Sequence, residues 1–299
     1  MRLALNGATT MKADLETDIQ VASAAGFDCL EIWAAKLKRF LKTNSAFELK
    51  RLLDENRLEP YSINSIEHIT FRDADAHAQL LTECEELCRL AAQINCPYIV
   101  VVPSPLKQNS RLRTPDSVVG DAGTAVTSQP LASVGRDKVI EESVRVLTEL
   151  SVIAERHGVG LAFEFLGQPD CSVPTLALAD EIVRQVARPN IGLVLDSFHF
   201  YAGGSTIESI EALDPERLFI FHINDAEDRA LEELEDKHRL LPGLGILPLE
   251  KMVGALRKIG YDRVTSVEIF RPEYWERDPF ELARDARVAT LKTLNEVSS

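Results

Sequence analysis

Short apolar runs rich in branched and aromatic side chains alternate with longer stretches of helical period along most of the chain. The pattern predicts a strand over 3–6, a helix over 14–25 closed by Gly26, a strand over 28–33 and a helix over 46–56. Strands over 60–64 and 98–103 follow, with helices over 74–94 and 137–157 behind them. Four more strands, at 160–165, 191–196, 218–223 and 265–269, each precede a helix, at 175–186, 207–213, 249–259 and 279–297. Eight strand-helix units predict an α/β fold, a closed (β/α)8 TIM barrel forming a single domain over 1–299. An open doubly wound sheet would place a glycine-rich phosphate loop after its first strand, and Asn6-Gly-Ala-Thr9 is not one. One stretch, 104–135, is rich in Ser, Gly and Pro and has no period. It reads as a long inserted loop after the fourth strand, on the face where a barrel carries its active site, and either serves as lid or subunit contact or is a disordered insertion.

Four of the predicted strands carry, at or just inside the carboxyl end, a group that does not belong in an apolar run. Glu164 follows Gly160-Leu-Ala-Phe, Asp196 follows Ile191-Gly-Leu-Val-Leu, His222 follows Leu218-Phe-Ile-Phe and Glu268 follows Thr265-Ser-Val. A single acid at a strand end is usually a cap or turn residue. Four of them on consecutive strands ask for a shared counter-charge, because an unpaired buried charge costs several kcal/mol, on the order of the desolvation penalty itself. In a parallel barrel the carboxyl ends of neighbouring strands converge, so the four groups are expected to hold one divalent metal ion. Three carboxylates and one imidazole suit Mn, Zn, Co or Mg, and the absence of a thiolate argues against a structural zinc knot.

Composition narrows the function classes. Of 299 residues 45% are hydrophobic and 27% charged, enough to bury a substantial core. The net charge of -14 weighs against a nucleic-acid partner, whose phosphates call for a basic surface. No apolar run approaches the length of a membrane span and the start lacks the h-region of a signal peptide, so a cytoplasmic protein without a membrane partner is expected. Five cysteines, an odd and scattered set, are expected to be reduced thiols. Cys84 and Cys88 lie one helical turn apart and read as small residues on a helix face rather than as soft-metal ligands.

At Leu193-Val-Leu-Asp196-Ser-Phe-His199-Phe the chain resembles the xylose-isomerase-like sugar isomerases and epimerases, a family of metal-dependent barrels. Leu3-Ala-Leu-Asn6-Gly-Ala-Thr-Thr, Phe163-Glu164-Phe-Leu-Gly, Phe221-His222-Ile-Asn-Asp225 and Val267-Glu268-Ile-Phe-Arg271 continue the resemblance over nearly the whole chain. Steps of 32, 26 and 46 residues between the four ligands fit that pattern. The resemblance implies a metal on Glu164, Asp196, His222 and Glu268, with His199 and Arg271 near a small sugar or cyclitol ketone. Asn6 and Trp33 are further candidates for the substrate pocket. Members commonly carry Glu or Gln between two glycines after the seventh strand, where this chain has Gly243-Leu244-Gly245.

Such a site suits proton transfer beside a carbonyl. The metal stabilises an enediolate as a Lewis acid, and a carboxylate on either side serves as base on one carbon and acid on the next. Glu164 and Glu268 are assigned these roles, which moves a ketone to the adjacent carbon. The same ligands would serve a ketose 3-epimerase, a hydroxypyruvate isomerase or a 3-dehydroshikimate dehydratase. A metal-stabilised binding protein is a more remote alternative, and a multi-metal nuclease is disfavoured by the acidic chain and its 6 histidines. Assembly into a homo-oligomer is left open.

Overall fold

In the computed structural model, which describes residues 1–106 and 134–296, eight parallel strands close into a barrel. These are β1 (Arg2–Asn6), β2 (Cys29–Trp33), β3 (Glu59–Ile66), β4 (Tyr98–Val101), β5 (Gly160–Glu164), β6 (Ile191–Asp196), β7 (Leu218–Ile223) and β10 (Val264–Val267). Neighbours in sequence are neighbours in space all round the ring, and β1 closes it against β10. A short antiparallel ribbon, β8 (Asp225–Ala226) with β9 (Arg239–Leu240), stands beyond β7. Most of the segment expected as a long loop, 107–133, lies outside the described residues.

Side-chain alternation gives the barrel two different surfaces. Leu3, Leu5, Ile32, Ile99, Leu161, Phe163, Leu193 and Leu195 face outward into the main core beneath the helices. Ala4, Cys29, Val100, Ala162, Val194, Ile220 and Val264 form a second buried cluster inside the ring. At the amino end Tyr98 stacks on Phe219 with ring centres 4.6 Å apart, and Tyr61 lies 5.3 Å from Tyr98. These aromatic rings pack the amino end of the interior. The inward positions at the carboxyl ends are polar instead: Asn6, Glu31, Asn64, Glu164, Asp196, His222 and Glu268.

The outer helices begin where the sequence supplies acceptors for their free amide groups. Asp14 accepts from Thr17 N ahead of α1 (Leu15–Ala25), which ends at Gly26 with a φ of 85°. Ser45 and Glu48 cap each other's backbone at α3 (Ala46–Glu55), Asp73 caps α4 (Ala74–Gln93) and Thr175 caps α6 (Leu176–Val186). α5 (Arg136–Arg156), α8 (Ile207–Glu211), α9 (Leu249–Lys258) and α11 (Pro279–Glu296) complete the expected set. Three short helices were not foreseen: α2 (Ala34–Phe40), α7 (Ser197–Ala202) and α10 (Pro272–Trp275). Each spans two turns or fewer, too short for a hydrophobic period to declare itself.

The segments after β5 and β6 touch at Gly167 and Gly203, where each lacks a side chain. A Cβ on Gly203 would meet the Pro174 carbonyl oxygen at 1.9 Å, and one on Gly167 would meet that of His199 at 2.3 Å. Gly203→Ala is therefore expected to destabilise the fold by about 1–3 kcal/mol, the usual scale of overpacking. An unchanged urea midpoint would show that these loops separate without cost.

Candidate metal centre and active site

The pleat that turns every second residue inward collects one donor from each of four adjacent strands. Glu164 and Asp196 are the last residues of β5 and β6, His222 is the penultimate residue of β7, and Glu268 is the first beyond β10. Asp196 and His222 sit directly opposite in register. One ligand atom from each of the four lies within 4.8 Å of the others. His222 Nδ1 is 3.0 Å from Glu164 Oε1, 3.3 Å from Glu268 Oε2 and 3.9 Å from Asp196 Oδ2. None of the four exceeds 4% exposure.

A fifth carboxylate stands on the far side of the imidazole. Glu31, wholly buried on β2, is 3.0 Å and 3.1 Å from His222 Nε2 through its two oxygens. Asn64 Nδ2 donates both to Glu31 Oε1 and to Glu268 Oε1, and Asn6 Nδ2 donates to the same Glu268 oxygen at 3.0 Å. The other Glu268 oxygen accepts from Arg239 at 3.1 Å.

Arg239 supplies the fixed positive charge. Fully buried between Phe198 and Phe270, it donates through Nη1 to Asp196 and Glu268 and through Nη2 to Asp236. His199 Nε2 lies 3.1 Å from Nη2. Since guanidinium only donates, that nitrogen accepts, and His199 Nδ1 is the protonated atom of the neutral ring. Burial also holds His199 below its ordinary pKa.

The electrostatics fit a cation. Four buried carboxylates, Glu31, Glu164, Asp196 and Glu268, surround His222, and the Arg239 guanidinium bonds only Asp196 and Glu268 among them while also serving Asp236. Burial, with Glu268 and Asp196 nearby, pushes Glu164 up to about 8. Burial opposes charge on Glu268 as well, but His222 and Arg239 outweigh it and keep that carboxylate below its usual range. For His222 the surrounding carboxylates overcome burial and raise its pKa well above the ordinary value. Acidic oxygens crowded on one imidazole nitrogen are the donor set that a divalent ion would complete.

A cavity opens above these groups, lined by Trp33, Asn64, Glu164, Gln168, His199, Arg239, Glu268 and Phe270 among others. Trp33 packs edge-on against Phe270 with ring centres 5.6 Å apart. Gln168, after β5, is held by a bond from its Nε2 to Asp236.

The structure brings Glu164, Asp196, His222, Glu268, His199 and Trp33 to one place, and it leaves two of the expected substrate contacts outside the cavity lining. Arg271 does not line the cavity: Glu227 at 2.7 Å and Glu273 at 3.4 Å hold its guanidinium, and Arg239 occupies the position above the ligands. Asn6 stands behind Glu268 rather than in the cavity, where it also accepts from Ala8 N. The Gly243-Leu244-Gly245 turn is likewise outside the cavity lining, folded around Asp225, which accepts from the amides of Gly243, Gly245 and Leu247. Sequence reading missed Glu31 although the signal was the same, a carboxylate inside the apolar run Cys29-Leu-Glu31-Ile-Trp33. Arg239 gave no such signal, since its strand is two residues long.

The family model for the xylose isomerase-like TIM barrel matches residues 19–291, and the chain belongs to that family. Within it, the chain is similar to the inosose isomerases. It is 36% identical to that of Bacillus subtilis (strain 168) over 301 residues, covering 100% of both chains. Against the enzyme of Halalkalibacterium halodurans the identity is 35% over 297 residues, 99% of this chain and 97% of the relative. A solved structure of an IolI protein with a zinc atom superimposes with a TM-score of 0.89 at 35% identity, covering 99% of each chain. No described helix is long and apolar enough to cross a membrane.

Proposed function

We propose that this protein is a metal-dependent isomerase that moves the ketone of a small cyclitol to the adjacent carbon, with inosose (2-keto-myo-inositol) as substrate. The observation that carries the reading is a division among the four ligands. Glu164 and Glu268 line the cavity, whereas Asp196 and His222 lie behind it. The two glutamates are thus ligands in reach of a substrate as well, and the other two serve as ligands alone. Full-length similarity to inosose isomerases supports the cyclitol, and zinc in the solved relative supports that ion ahead of Mn, Co or Mg.

A divalent cation on the four residues would act as a Lewis acid toward the ketone and the neighbouring hydroxyl oxygen. One glutamate removes the proton from the hydroxyl-bearing carbon. The other delivers a proton to the former carbonyl carbon, while the hydroxyl proton passes from one oxygen to the other, so no external oxidant or reductant is consumed. Arg239 and His199 line the same cavity and offer charge and hydrogen bonds to the enediolate oxygens. Trp33 and Phe270 give an apolar wall for the ring carbons.

Metal-stripped protein in deuterated water should leave inosose unchanged by NMR, and added zinc should restore conversion with deuterium beside the carbonyl. Exchange with ketohexoses but not with inosose would reassign the protein to an epimerase. Metal-independent conversion would remove the metal from the mechanism.

A further inference from the structure

We infer that Glu31 is a positioning residue of the metal centre, which fixes the ring of His222 so that Nδ1 is the atom presented to the cation, and that Asn64 ties Glu31 and Glu268 into one frame. The inference rests on the metal reading of the site given above. Its starting point is that His222 has acidic neighbours on both ring nitrogens, in two separate groups. The oxygens of Glu164, Glu268 and Asp196 gather at Nδ1, and both oxygens of Glu31 face Nε2. Glu31 is not among the residues whose donor atoms converge within 4.8 Å. It is therefore placed to hold a ligand rather than to be one.

An ionised carboxylate has no hydrogen to give, so the bond to Nε2 requires the hydrogen to sit on the ring. That leaves the Nδ1 lone pair directed at the other three ligands. The backing carboxylate also raises the basicity of the imidazole, the arrangement by which metal-bound histidines are commonly oriented and tuned. Asn64 extends the frame, because its single Nδ2 group donates to Glu31 at 3.1 Å and to Glu268 at 2.9 Å. Asn6 adds a second donor to that Glu268 oxygen. The strand pairing makes this geometry reproducible: Asn6 lies opposite Glu31, and Trp33 opposite Asn64. Three strands that contribute no ligand, β1 to β3, thereby orient two ligands contributed by β7 and by the residue following β10.

The test is zinc binding by metal-stripped full-length protein in competition with a chromophoric chelator, together with the visible spectrum of the cobalt-loaded form. Glu31→Leu should weaken zinc binding by about 10–100-fold, the range seen when such outer partners are removed, and should alter the cobalt bands. Glu31→Gln, which keeps shape and an acceptor oxygen but loses the charge, should recover part of the affinity and much of the spectrum. Zinc affinity within twofold of the unmodified chain and a superimposable cobalt spectrum in both variants would overturn the inference while leaving the metal site standing. If the unmodified chain binds neither ion, the metal reading itself fails and this inference falls with it. A variant that melts lower yet binds both ions normally would assign Glu31 to the fold alone, against the inference.

Discussion

Replacing Glu164 by glutamine is expected to lower turnover at least about a hundredfold while leaving the barrel folded, the scale on which removal of a general acid-base group is felt. The substitution keeps the shape of the side chain and an oxygen that can still accept a hydrogen bond at the position 3.0 Å from His222 Nδ1. What it removes is the capacity to take and return a proton. The folded site should tolerate the neutral isostere, because burial already disfavours charge on Glu164 and lifts its pKa to about 8. Glu268 is built the opposite way, with Asn6 and Asn64 on one oxygen and Arg239 on the other. Two carboxylates at one site in such different surroundings are suited to different duties. The measurement is kcat on inosose at full metal occupancy, with a thermal melt beside it. A loss smaller than tenfold with the fold intact would take Glu164 out of the proton transfer.

Lys36→Met is expected to cost about 3–5 kcal/mol of stability, the range for removing one partner of a buried ion pair. Lys36 and Asp18 have side chains wholly shielded from solvent and meet at 2.7 Å. The ammonium also donates to the carbonyls of Gly7 and Thr10, and Thr10 Oγ1 donates to Asp18. The pair thus fastens the loop after β1 as well as balancing a charge. That loop bears on the site, since Thr9 Oγ1 donates to Val267 O and accepts from Ile269 N, bracketing Glu268. Urea denaturation would give the loss directly. The double variant Asp18→Asn with Lys36→Met should recover part of it, because the stranded carboxylate is gone while the two carbonyls stay unpaired. A loss below about 1 kcal/mol for the single variant would mean that water replaces the lysine at little cost.

Much of the architecture was legible in the chain because it rests on local regularities. Eight apolar runs separated by helical periods specify a closed parallel barrel, and the boundaries of α4, α5 and α9 fall within a residue or two of where the pattern puts them. The four residues of the candidate metal centre were legible for a related reason: a charge at the end of an apolar strand conflicts with its surroundings, and in a barrel such conflicts meet on one face. Tertiary structure alone decided which groups surround them. Glu31 carried the same local signal, yet only the closed ring puts its carboxylate behind His222 rather than among the four converging donors. Arg271 and Arg239 have equal charge, and each has an acid within three residues in sequence, Glu273 and Asp236 respectively. The nearer acid captures the first, while the second is carried by a two-residue strand into the space between Asp196 and Glu268. Periodicity determines what a strand buries and on which face; the direction of a long polar side chain in an irregular segment is set by whichever distant partners the fold brings within hydrogen-bonding reach.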